Sequence, residues 1–276
     1  MFNGKVIIIT GGSSGIGKAL AFELGRMGGS IVITGRREKE LFDVAHSLQM
    51  KKIKVLALVS DVSIQSNTNE VVQQTIEKFG RIDILINNAG MSMRAMFDQV
   101  DIDATIRRLM DVNFMGAVYM TQAALPYIKK TKGSIVGISS IAGFRGLPVR
   151  TGYSASKFAL NGFLEALRTE VMPLGIHILT ACPGFTASNI RFTALDSHGG
   201  TTGSTVRDEG KMMTSEEVAK HIAKAILQRK RTLVLTTEGK LTAFLNKFFP
   251  KLTDRLVIRA LAKEKDSPLQ EFVKEL

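Results

Sequence analysis

Tyr153 and Lys157 stand four residues apart in the run YSASK, so on a helix both project from one face, one turn from each other. A free tyrosine titrates near pH ~10, and an ammonium held beside it favours the phenolate, so the expectation is a phenol that trades its proton closer to neutrality. Tyr153 is thereby a candidate general acid or base. Ser140 ends the apolar run GSIVGISS thirteen residues earlier, where its hydroxyl could hold a carbonyl oxygen in place. The chemistry available to this trio is proton transfer to or from an oxygen fixed by Ser140.

The elements that must position the trio alternate strand and helix. KVIIIT (5–10) is a β-branched run ending in GGSSGIG, after which KALAFELGRMG has helical period. Gly11, Gly15 and Gly17, with Ser13, Ser14 and Ile16 between them, give the spacing T-G-x-x-x-G-x-G. Such a loop turns tightly and brings backbone N–H groups and a helix N-terminus up to a pyrophosphate. SIVITGRREKEL is a second strand running into Arg36 and Arg37, with no acid before Glu38. In dinucleotide folds an acid at this strand end takes the ribose 2′-hydroxyl and an arginine accommodates a 2′-phosphate, so the expected cofactor is NADP(H), with Arg36 as main phosphate partner and Arg37 as second.

KIKVLALVSDVS reads as a third strand ending at Asp61 and Val62, and RIDILINNAG as a fourth, ending in Asn87, Asn88, Ala89 and Gly90. One long helix is expected over about 103–130, with Asn113, a mediocre helix former, in its interior. IHILTACPGFTASN adds a sixth strand, and SEEVAKHIAKAILQRK a helix with Ser215 as its cap and acids in its first turn. RTLVLTT is the last strand. Alternation of this kind, with crossovers long enough for parallel pairing, predicts a single α/β domain, a doubly wound Rossmann-type sheet of about seven strands.

The Ser140 to Tyr153 spacing, YSASK, the glycine loop and NNAG together resemble the short-chain dehydrogenase/reductase family, over about residues 1–237. The resemblance implies hydride transfer at a carbonyl or alcohol, with Ser140, Tyr153, Lys157 and Asn113 catalytic. It places Asp61 and Val62 against the adenine, Asn88, Ala89 and Gly90 beside the cofactor, and Lys157 on the nicotinamide ribose. It makes Asn113 a residue that perturbs its own helix and holds a water that links Lys157 to solvent. After Pro183 and Gly184 the family has a small hydrophobic residue and then threonine; here those slots hold Thr186 and Ser188, and either hydroxyl can serve the carboxamide. The loop 189–214 is expected to close a substrate pocket, with Phe192, Leu195 and Met212 as wall residues.

Composition narrows the remaining classes. With 276 residues and 45% hydrophobic content the chain can bury a full core. Its net charge of +12 is scattered and no nucleic-acid motif accompanies it, so no nucleic-acid partner is expected. A lone Cys182 suits a reducing compartment, no signal peptide is recognised, and no apolar run approaches the ~20 residues of a membrane span. The expected location is cytoplasmic, peripheral to a membrane at most. Scattered histidines offer no metal-ligand spacing.

The extension 238–276 carries apolar stripes, Leu241, Phe244, Leu245, Phe248 and Phe249, then Leu252, Leu256, Val257 and Leu261, broken by Pro250 and flanked by bases. It reads as helical extra core or oligomer packing, in preference to a pocket cover or an amphipathic membrane anchor. Similar tails in the lipid-handling, 7B-type branches of the family imply a greasy ketone as substrate, and the helices over about 103–130 and 153–172, which the family uses for subunit contacts, imply a homodimer or homotetramer. The expectation is an NADPH-dependent ketone reductase, with a 3-oxoacyl-thioester reductase as alternative. A dinucleotide-binding regulatory protein and a membrane-surface structural protein are the non-enzyme readings.

Overall fold

The β-branched run before the glycine loop forms β1 (Val6–Thr10), buried along its whole length. Ile7 and Ile9 enter one core cluster and Val6 and Ile8 the other, as a central strand covered on both faces requires. The structure is a computed structural model and describes residues 1–203, 210, 212–264 and 266–273.

From β1 the chain runs through α1 (Gly15–Arg26), β2 (Ser30–Gly35), α2 (Glu38–Met50), β3 (Val55–Val59), α3 (Gln65–Phe79) and β4 (Ile84–Asn87). Beyond a long helical segment come β5 (Ser134–Ile138), α6 (Thr151–Val171), β6 (His177–Cys182), α7 (Ser215–Leu227) and β9 (Thr232–Val234). Seven parallel strands pair in the order β3-β2-β1-β4-β5-β6-β9, as expected. Helices α1, α2 and α7 cover one face, and α3, α6 and the helical segment cover the other. Chain order reverses at β1, whose neighbours are β2 and β4, so the strand ends there open the crevice in which such folds bind ligands. Asp83 secures the opposite end of β1. Its buried carboxylate accepts from the Val6 amide at 3.0 Å, from Lys5 at 3.0 Å and from Arg81 at 2.6 and 2.8 Å.

The helical segment differs from the single helix expected over 103–130. Ile102–Arg107 and Asp111–Met115 are π-helical, a short α turn (α4, Arg108–Met110) lies between them, and regular helix begins with α5 (Gly116–Thr131). The cause lies at Asn113, whose side chain bonds the backbone of Met91 rather than solvent, and a widened turn accommodates it. The cap of α7 also moves by one residue. Thr214, not Ser215, receives the Glu217 amide while the Glu217 carboxylate accepts from the Thr214 N–H, a T-x-x-E capping box.

Two short strands, β7 (Thr186–Ala187) and β8 (Met213–Thr214), pair in parallel and pinch the base of the expected pocket loop, of which residues 204–209 and 211 lie outside the described residues. After β9 the extension folds into α8 (Thr237–Phe248), α9 (Pro250–Ala262) and α10 (Gln270–Val273). Pro250 sits at the first position of α9, where its missing N–H leaves no helix bond unmade.

Candidate active site

The glycine loop leaves β1 with two residues in the left-handed region, Gly11 at φ +67° and Gly15 at φ +53°. Gly17 admits no side chain, because a Cβ there would lie 2.2 Å from the Gly11 carbonyl oxygen. The Thr10 hydroxyl accepts from the Asn88 and Ala89 amides at 3.0 and 2.9 Å, and the Asn88 side chain donates to the Thr10 and Gly11 carbonyls. The loop and the NNAG turn are therefore one rigid unit at the reversal of strand order. Arg37 reaches over it and donates to Ser14 at 3.0 Å and Ser13 at 3.4 Å. Arg36 lies 3.5 Å from Asp61. Burial raises the Asp61 pKa, but hydrogen bonds from Ser63 and the Arg36 charge outweigh it and hold the carboxyl below its usual range.

Ser140 follows β5, and Tyr153 and Lys157 lie in the first turns of α6. The Ser140 hydroxyl accepts from the Ala142 amide at 3.2 Å, and Ser140 and Tyr153 line the same cavity. Lys157, 3% exposed, donates to the Ile138 carbonyl at 2.9 Å and lies 5.8 Å from the centre of the Tyr153 ring. Burial pushes the Tyr153 pKa up, against the opposing pull of Ser140 and the Arg150 charge. Lys157 is not among the groups that lower it, and burial brings the pKa of Lys157 itself down to about 8. The phenol consequently keeps its proton through the neutral range.

Asn113 joins these parts. It accepts from the Met91 amide at 2.8 Å and donates to the Met91 carbonyl and the Ser156 hydroxyl, each at 2.9 Å, while Ser156 donates to the Tyr153 carbonyl at 2.8 Å. A Cβ at Gly90 would meet Asn113 Oδ1 at 3.1 Å and Lys157 Nζ at 3.4 Å, so all three face one gap that only glycine leaves open.

One continuous cavity of about 910 Å³ runs from the glycine loop, past Arg36, Arg37, Asp61 and Val62, to Ser140, Tyr153 and Lys157. Its far wall is the C-terminal hairpin, through Leu241, Leu245, Leu256, Val257 and Leu261. The hairpin is fastened to the loop between Ser140 and Tyr153. Arg145 donates to Asn246 at 3.0 Å and pairs with Asp254, and Arg150, at the start of α6, pairs with buried Glu264 at 2.8 Å. Arg94 donates to the Asp266 carbonyl at 2.9 Å.

A family model described as short chain dehydrogenase matches residues 5–197. The chain belongs to that family. It is 33% identical over 269 residues to the dehydrogenase/reductase SDR family member 7B of Danio rerio, spanning 94% of this chain and 86% of that one. It is 41% identical over 189 residues to the 11-beta-hydroxysteroid dehydrogenase A of Sesamum indicum, spanning 68% of this chain and 54% of that one. The plant relatives of this kind are thus matched over 54–60% of their length. A short-chain dehydrogenase/reductase of Burkholderia phymatum, solved with NAD, superposes with a TM-score of 0.82 at 22% identity over 91% of this chain and 95% of that one. That likeness shows the fold.

Within this short-chain dehydrogenase, most residues singled out from the sequence lie together. Gly11, Ser13, Ser14, Gly15, Ile16, Asn88, Ala89, Gly90, Pro183, Gly184, Thr186 and Ser188 all line the cavity. Gly17 and Asn113 sit behind its wall. Thr186 donates to the Gly184 carbonyl at 3.1 Å, and Ser188 lies beside Gly15. The three substrate-wall candidates are elsewhere. Leu195 is fully buried and bridges Met93 and Thr201, Phe192 is exposed, and Met212 is half-buried outside the lining. The loop 189–214 does line the cavity, through Asn189, Ile190, Arg191 and Thr193, and the hairpin adds further apolar wall, so the preferred reading of the tail as extra core describes only the small cluster of Val149, Leu261, Ala262 and Leu269. Sequence reasoning missed Thr10, Arg145, Arg150 and Glu264. Only Thr10 carried a signal, as the first residue of the glycine motif.

Proposed function

We propose that this chain is an NADP(H)-dependent reductase that converts a hydrophobic ketone to a secondary alcohol, working in the cytoplasm as a homodimer or homotetramer. The observation that carries the reading is the convergence of Ser140, Tyr153 and buried Lys157 on the same cavity as the glycine loop. The residues present fit a dinucleotide. The glycine cradle around Gly11, Gly15 and Gly17 suits the pyrophosphate, and the two guanidinium groups beyond β2 suit a 2′-phosphate. Asp61 and Val62 would flank the adenine, Asn88, Ala89, Gly90 and Lys157 the ribose, and Pro183, Gly184 and Thr186 or Ser188 the carboxamide.

When bound, NADPH supplies hydride to the carbonyl carbon. Ser140 donates a hydrogen bond to the carbonyl oxygen and fixes it next to the phenol. Tyr153, kept protonated by its raised pKa, gives that oxygen a proton as it gains charge. The Lys157 ammonium stabilises the tyrosinate left behind. Asn113, across the Gly90 gap from Lys157, holds the path by which a proton returns. The apolar hairpin wall favours a bulky hydrophobic substrate, in keeping with relatives named for hydroxysteroids.

The test is titration with NADPH and NADH for wild type, Arg36→Ala and Arg37→Ala. The expected outcome is a preference for NADPH of about tenfold or more, about 1.4 kcal/mol, that either substitution reduces. Tyr153→Phe should keep the same affinity and lower kcat by about 10²–10⁴. Equal affinity for both cofactors would remove the NADP(H) assignment, and absence of binding would remove the enzyme reading altogether.

A further inference from the structure

Six exposed large apolar groups are gathered on one element pair. On α8, Leu241, Phe244 and Phe248 follow one helical face at 54–56% exposure, Phe249 at the elbow is 54% exposed, and Leu252 and Leu256 continue the stripe on α9 at 49% and 45%. Phe244 and Phe248 touch only each other's rings among the aromatic pairs of the described residues, with centroids 4.9 Å apart. Six large apolar side chains side by side form a patch of a kind that monomer surfaces rarely leave bare.

The charge around the patch has one sign. Residues 237–263 hold six bases, Lys240, Lys247, Lys251, Arg255, Arg259 and Lys263, all exposed, against two acids, Glu238 and Asp254. Asp254 is paired with Arg145. An apolar stripe bordered by bases complements an anionic bilayer surface, where buried apolar area and electrostatic attraction act together. No helix among the described residues is long and apolar enough to cross a membrane, so the contact is with its surface.

The cavity meets this same face. Leu241 and Leu256 belong to the exposed stripe and also line the cavity, so the cavity reaches this face. We infer that the α8–α9 face seats on an anionic phospholipid surface, with the cavity open to the bilayer so that a membrane-dissolved ketone enters without crossing water. The docking stands on the surface alone, and the entry route rests on the reductase reading.

Flotation of the full chain with vesicles of phosphatidylcholine, with and without phosphatidylserine, tests the docking. Wild type should partition onto the serine-lipid vesicles, and high salt should weaken it. Phe244→Ser/Phe248→Ser/Phe249→Ser and Lys247→Glu/Lys251→Glu/Arg255→Glu should each lower the partition by about tenfold or more. Both variants, which alter no cavity residue, should keep wild-type turnover of a water-soluble ketone and lose turnover of a long-chain ketone carried in vesicles. No vesicle binding by wild type, or equal binding by the variants, overturns the docking. A wild-type dimer that the serine variant disperses, with no vesicle binding, assigns the face to a second copy and also overturns it. Vesicle binding without turnover of any ketone leaves the docking and removes the reductase reading.

Discussion

The β1 strand and the α8 helix are built on opposite terms. Every residue of β1 is buried, with side chains divided between two core clusters and both edges paired. Only Gly239 is buried on α8, which stays in place because polar groups of the catalytic loop hold it and α9. The sheet would persist without the hairpin, whereas the hairpin depends on Arg145 and Arg150, within the loop that presents Ser140 and Tyr153. On the proposed reading, substrate wall and proton donor would therefore share one mounting, while cofactor loop and sheet would share another.

The contrast breaks first at the core. Ile8→Ala should cost about 2–5 kcal/mol in urea unfolding, because a fully buried side chain leaves a cavity between the sheet and its helices. Phe248→Ala should stay within about 0.5 kcal/mol. Comparable losses at the two sites would mean that the hairpin is part of the cooperative core.

A smaller effect should follow Glu264→Gln, which leaves Arg150 without its charged partner at a site where both side chains are buried. The expected loss of about 1–3 kcal/mol should fall on the tail alone, as faster hydrogen exchange in α9 and α10 with little change in the global Tm. KM should rise more than kcat falls. A uniform drop in Tm would show that the pair braces the whole domain.

The smallest effect concerns pH. Lys157 has a folded pKa of about 8, below the ordinary 10.5, so it loses its charge as pH rises through about 8. The reduction rate should fall over that range, and Lys157→Arg should move the fall upward. Stability should change in the other direction, since a buried charge is being removed: from this group alone it rises between pH 8 and 10.5. A rate flat to pH 10 would mean that the ammonium does not support the phenol.

What the sequence disclosed follows the range of the interactions. The strands, the glycine loop and the Ser140, Tyr153 and Lys157 trio were legible because β-branched runs, left-handed glycines and one-turn spacing are local signals. The α7 cap was legible too, since Thr214 and Glu217 are three apart, and choosing Ser215 was a one-residue slip. A disturbance of the helix at Asn113 was implied by the family resemblance, but its π-helical form was not legible, because it involves a Met91 backbone 22 residues away. Nor was the Arg150–Glu264 pair, whose partners are 114 residues apart and carry no pattern. Leu195 misled for the same reason: its place in the core comes from bridges to Met93 and Thr201.

The hairpin begins directly after β9, the strand at the sheet's edge. An element attached at an edge can be exchanged without threading a new connection through the core. Grafting a relative's tail after Leu235, with residues matched to Arg94, Arg145 and Arg150, would transplant a substrate preference onto an unchanged catalytic frame. Diversification of such a protein then resembles changing the bit of a drill: the motor stays, and the end that meets the material is replaced.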